Sequence, residues 1–122
     1  MSYIDGFVLP LGEGKEDAYR KMAEMFAAKA TDLGATGIVE SVGDGLEHGH
    51  TTDFYRAVQA EDGENVVFSF IIWPDKPTRD SAWEKIMADP EMQPTGEMPF
   101  DGKRMFWGGF KPLVNTLEKA NA

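Results

Sequence analysis

Hydrophobic and polar positions change period several times along this chain, and the changes mark its elements. Tyr3 to Leu9 is a mainly apolar stretch ended by Pro10, which predicts a strand that stops where proline cannot donate to a ladder. From Lys15 to Leu33 the period becomes helical. Tyr19, Met22, Ala23, Phe26, Ala27, Ala30 and Leu33 fall at spacings of three and four and form one stripe. Glu16 and Asp17 suit the first turn of that helix, and Gly34 suits its end. Ala35 to Val42 reads as a second strand, followed by a polar loop from Gly43 through Thr52. Phe54 to Gln59 reads as a short extended piece, and Glu61-Asp62-Gly63-Glu64 as a turn, since Asp-Gly suits a tight hairpin.

Asn65 to Trp73 is the strongest strand, stopped by Pro74. Thr78 to Asp89 follows as a helix carrying Trp83, Ile86 and Met87 on one face. Glu91 to Gly102 reads as loop, Lys103 to Phe110 as the last strand, and Leu113 to Lys119 as a short terminal helix. Strand, helix, strand, strand, helix, strand is the split βαβ pattern. The expected fold is therefore α+β and ferredoxin-like: an antiparallel four-stranded sheet with two helices on one face. The expectation is a single domain over residues 1–122, since the chain has room for one and shows no linker.

Two helices cover one sheet face, and the other face should then alternate toward polar residues. The central strands do not comply. Val66, Phe68, Phe70 and Ile72 point one way, while Val67, Ile71 and Trp73 point the other; Met105 and Trp107 likewise oppose Phe106 and Phe110. A face this apolar predicts burial against a second copy of the chain, giving a homodimer through the sheet and a dimeric α/β barrel. Long loops or the terminal segment are the alternative cover.

The net charge of −9 repels phosphate backbones and anionic lipid heads, so neither nucleic acid nor a membrane surface is an expected partner. The absence of cysteine excludes disulfides and thiol catalysis and favours the cytoplasm. Met1 to Asp5 lacks the basic start and apolar core of a secretory leader, and no apolar run is long enough to span a bilayer.

Candidate chemistry is sparse. Glu47-His48-Gly49-His50, with Asp44 and Asp53 nearby, is the one metal-like cluster, but its glycine-rich setting favours a solvated loop and no metal. Asp53, His48 and His50 are the candidate proton acceptors. If Phe54 to Gln59 is extended, Asp53 and Arg56 face opposite ways and do not pair. Arg104 could hold a ligand carboxylate, with a structural bridge to Glu40 or Asp101 favoured over that role. Trp73, Trp83, Trp107 and Phe100 could line a pocket for a flat ligand, although aromatics in a small domain more often belong to the core. Trp73 and Trp107 would wall this pocket, with Arg104 at its mouth. Gly108-Gly109 predicts a bulge or a close backbone approach. No cofactor motif is present.

Met1 to Pro10, Thr52 to Val58, Val67 to Phe70 running into Trp73-Pro74, and above all Met98-Pro99-Phe100-Asp101-Gly102-Lys103-Arg104-Met105 with Gly108-Gly109-Phe110 resemble the bacterial YbaA-like family, domain of unknown function 1428. The resemblance implies membership of the dimeric α/β-barrel superfamily. It transfers no catalytic residue, because the family has no established activity. Superfamily relatives include cofactor-free monooxygenases, small isomerases, haem-dependent enzymes and stress-related proteins, which share a cavity between sheet and helices. The function expected from all of this is small-molecule binding in the barrel cavity of a homodimer, with monooxygenase- or isomerase-like chemistry as its enzymatic form. The alternative is a non-enzymatic structural or regulatory interaction module.

Overall fold

Pro10 does not end the first strand. In the computed structural model, which describes residues 1–94 and 96–118, β1 spans Tyr3–Leu11 and Pro10 pairs with Val66. Beyond Val8, β1 has a neighbour on one side only, so a residue without an N–H is tolerated there. The remaining elements are α1 (Glu16–Asp32), β2 (Gly37–Val42), α2 (Phe54–Ala57), β3 (Asn65–Trp73), α3 (Lys76–Ala88) and β4 (Phe106–Phe110). The sheet order is β2-β3-β1-β4 with every neighbouring pair antiparallel, the arrangement expected of a ferredoxin-like chain.

Phase decides which residues meet the helices. Val67, Ile71 and Trp73 of β3, with Leu9 and Leu11 of β1, lie on the helix side and are buried. Tyr19, Ala23 and Ala30 of α1 and Ala82 of α3 pack against them, and Ile86 of α3 is also buried. Gly34 closes α1 at φ +115°, and a Cβ there would stand 2.6 Å from the Thr78 methyl, so α1 and α3 meet closely at this point. Asp75 caps α3 by accepting from the Thr78 N–H at 2.8 Å. The cap lets the helix begin two residues before Thr78, with Pro77 in its first turn, where a missing N–H costs little. Met87 departs from the expected apolar face and is 70% exposed.

The opposite sheet face is only partly covered. The 43–64 connection folds over one end of it, where Val58 packs with Val8 and Val66, flanked by Leu46 and Tyr55. Within that connection, residues 54–57 form α2 rather than the expected extended piece. Asp53 accepts from the Arg56 N–H at 2.8 Å, and that cap turns the chain. The rest of the face leaves Phe68, Val39, Phe106 and Phe110 exposed.

β4 starts three residues later than expected, at Phe106, and pairs with β1 without a bulge. Its glycines instead permit close approach. Gly109 lies opposite Asp5 beneath the Tyr3 ring, where a Cβ would collide with the phenol. The helix expected over Leu113 to Lys119 does not form in residues 113–118, and Lys119 lies outside the described residues. Among the described residues no helix is long and apolar enough to cross a membrane.

Candidate functional site

Two polar constellations lie on the helix side of the sheet, one closed and one open. The closed one centres on Asp5, which is 2% exposed near the start of β1. Its carboxylate accepts from the indole N–H groups of Trp73 at 2.9 Å and Trp83 at 2.8 Å. It also accepts from Arg79, through Nη2 at 2.7 Å and through Nε at 3.0 and 3.1 Å. The Arg79 guanidinium lies 5.2 Å from the Tyr3 ring centroid, and its hydrogen bonds to Asp5 hold its pKa above the usual arginine value. Both indole N–H groups and the Nε and Nη2 of Arg79 are engaged by the carboxylate, while Arg79 Nη1 donates to Asp80 at 3.0 Å, so this cluster joins β1, β3 and α3 as a closed network. The sequence carries a signal for it: Asp5 shares the phase of Phe7, Leu9 and Leu11, an acidic residue at a core position.

The open constellation lies between α1 and β2. A groove of about 300 Å³ runs between Tyr19, Ala23 and Ala27 on α1 and Ile38, Glu40 and Val42 on β2. Tyr19, itself buried, donates to Glu40 Oε1 at 2.6 Å. Burial pushes the Tyr19 hydroxyl well above its ordinary pKa, and the hydrogen bond to Glu40 adds to that. Burial of the carboxyl also pushes Glu40 up, against opposing hydrogen bonds from Tyr19 and Ser69. Although Glu40 as a residue is exposed on the edge strand, its carboxyl is held against α1. Phe100 meets the Tyr19 ring edge-on, with centroids 5.8 Å apart. Neither Tyr19 nor Glu40 stands out as a pair in the sequence, because 21 positions separate them.

The residues singled out from the sequence are scattered. Trp73 is fully buried and committed to Asp5, whereas Trp107 is 64% exposed on β4. Arg104 makes a two-pronged bridge to Glu64 at 2.6 and 2.8 Å, reaches Asp101 at 3.0 Å and donates to the Gln59 carbonyl at 3.0 Å. Glu64 and Asp101 hold the Arg104 guanidinium above its usual pKa. Glu64 precedes β3 and Trp73 ends it, so at ~3.3 Å per residue Arg104 and Trp73 are separated by roughly 30 Å of strand. The expected pocket of Trp73, Trp107 and Arg104 is not assembled. Phe100 instead supports Tyr19.

Asp53 is a capping residue rather than a poised base. The Arg56 N–H, then the Gly49 N–H and the Arg56 charge, hold its carboxyl below the usual range. Arg56 Nη1 lies 3.6 Å from Asp53 Oδ2, so the helical turn brings together two residues that an extended chain would part. His48 stacks on Tyr55 with centroids 4.7 Å apart, and its Nδ1 lies 3.6 Å from Asp53. His50 is exposed, and its carbonyl accepts from Arg56. Among the described residues, no three or more His, Asp or Glu side chains are grouped to hold a metal ion.

The model of a protein family of unknown function, DUF1428, matches residues 2–102. The chain belongs to this family. It is 48% identical over 116 residues to the uncharacterised protein YbaA of Escherichia coli K12, covering 94% of this chain and 99% of that one, and equally to YbaA of Shigella flexneri. Among solved structures, a dimeric ferredoxin-like protein from an uncultured marine organism superimposes with a TM-score of 0.56 at 10% identity. That match covers 98% of this chain and 100% of the other, and it shows the shared fold. SnoaB, a cofactor-independent oxygenase from Streptomyces nogalater, reaches a TM-score of 0.46 at 12% identity, covering 96% and 98%, a likeness too loose to bear on function.

Proposed function

We propose that this DUF1428 protein is a homodimer formed through the open face of its sheet, and that it binds a small organic molecule. One observation carries the dimer: Val39, Phe68, Phe106 and Phe110 stand exposed on a sheet whose other face is packed. An apolar surface of this kind is stabilised by removal from water, and a two-fold axis makes the contact self-complementary. The segment after β4 adds to it, since Leu113, Val114 and Leu117 are almost bare. The marine protein of the same fold is described as dimeric, which supports pairing here. The 43–64 connection already closes the end of the face at Val8, level with Phe106, so the partner meets the other end, which bears Phe110 and Val39.

Light scattering at micromolar concentration should give twice the chain mass of 13.5 kDa. Phe110→Asp, which places a charge on the exposed face away from the α2 cap, should return a folded monomer. A wild-type monomer at that concentration refutes the assembly. Native mass spectrometry of protein from its own host should show a retained small molecule.

A second reading, a non-enzymatic interaction module, is favoured by the commitment of Arg104 to Glu64 and Asp101 and of Trp73 to Asp5. These bonds take up the groups that would have held a ligand in the barrel cavity. A native mass spectrum with no retained molecule, from a dimer, selects that reading.

A further inference from the structure

The groove between α1 and β2 has three properties that together select a ligand. It has room, because Ala23 and Ala27 place small side chains one turn apart on α1, opposite Ile38 and Val42. β2 is the edge of the sheet, so no further strand fills the space outside it. It has a fixed anion at its floor. The buried Tyr19 hydroxyl pins Glu40 Oε1, so the carboxyl is oriented before anything binds. Its charge is net negative: Glu16, Glu24 and Glu40 line it against one cation, Arg20, which pairs with Asp17 at 3.0 Å.

We propose that this groove binds a small amphiphilic organic cation, with its ammonium group at Glu40 and its apolar body on Ala23, Ala27 and Ile38. The proposal names the site and ligand class for the small-molecule binding inferred above and rests on that part of the reading. An anion of the same shape meets three carboxylates against the single Arg20 and is disfavoured. A neutral analogue keeps the apolar contact but forfeits the charge-assisted hydrogen bond. The overall charge of −9 draws cations toward the protein.

The test is an NMR titration of the full chain with benzylammonium chloride, run beside sodium benzoate and benzyl alcohol at constant ionic strength. Benzylammonium should shift the Ala23 and Ala27 methyl signals saturably, with benzoate silent and benzyl alcohol weaker. Glu40→Gln keeps an acceptor for Tyr19 and should weaken benzylammonium binding by about tenfold or more. Glu24→Gln, on the exposed helix wall, should weaken it less, and Ala27→Phe should block it. Equal response to all three probes, indifference to Glu40→Gln, or no saturable shift overturns the proposal. A retained host molecule that leaves Ala23 and Ala27 unperturbed also refutes the site while leaving small-molecule binding intact. Light scattering tests the dimer independently of either result.

Discussion

Trp73 and Asp5, 68 positions apart in the chain, share a hydrogen bond of 2.9 Å from the indole N–H to a carboxylate oxygen. The bond spans the paired strands β1 and β3 on their helix side, and Arg79 and Trp83 bring α3 onto the same carboxylate. A buried carboxylate is costly unless its lone pairs are filled, and here both oxygens accept.

Asp5→Asn should therefore destabilise the fold strongly, because the amide turns donors toward donors. The expected loss is about 2–3 kcal/mol. This lies below the roughly 3–5 kcal/mol of a fully buried pair, since the partly exposed Arg79 can turn to water. Urea unfolding of Asp5→Asn beside Arg79→Gln measures it. A loss below about 0.5 kcal/mol, the scale of an ordinary surface change, would count against the cluster as a structural anchor.

Gly34→Ala should also destabilise. Its φ of +115° costs a side-chain-bearing residue about 1–3 kcal/mol, and the added methyl meets Thr78. Thr78→Ser removes the obstructing methyl and keeps the hydroxyl. In the Gly34→Ala background it should recover the steric part of the loss and not the backbone part. Thermal unfolding of the single and double variants separates the two, and full recovery would show that backbone strain at Gly34 is negligible.

Stability should depend on pH in two opposite ways. Asp53, Glu64, Asp75, Asp89 and Asp101 are held below their ordinary values, by the Arg56 N–H, Arg104, Thr78, Lys29 and Arg104 respectively. Their contribution is complete above the ordinary carboxyl range, near pH 4, and is lost as pH falls through the lowered folded values. Glu40 runs the other way. Its folded pKa is raised by burial, so the folded state loses stability as pH climbs from the ordinary glutamate value through the raised one. Urea midpoints of wild type and Glu40→Gln should converge in acid and separate toward neutral pH, with the variant higher. A variant that is less stable at neutral pH would show that the Tyr19 bond outweighs the burial cost.

The sheet was legible because phase is a local property. Val67, Ile71 and Trp73 could be assigned to one face and Val66, Phe68, Phe70 and Ile72 to the other by counting in twos, and the structure keeps that division. The helix of residues 54–57 was not legible, because it depends on the Asp53 cap rather than on any period. The polar sites were missed for a different reason. Asp5 with Arg79 and Tyr19 with Glu40 are contacts between distant segments, and no spacing rule joins them. Arg104 was expected to face a carboxylate, and it does reach Asp101. Its principal partner, Glu64, lies 40 positions away in what reads from sequence as a plain turn. Trp107 follows the correct phase yet stays exposed, because β4 is an edge strand.

The place of β1 in the sheet sets the order in which the chain can mature. Its neighbours are β3 and β4, so Ile4 waits for Ile72 on one side and Phe110 on the other. During synthesis β1 thus emerges before either of its neighbours, an interior strand with neither flank yet made. The pairing of β2 with β3 closes a shorter loop and carries a smaller entropic cost. Refolding should accordingly be slow for a chain of this size, with the β2–β3 pair forming before β1 inserts and β4 locking the sheet last.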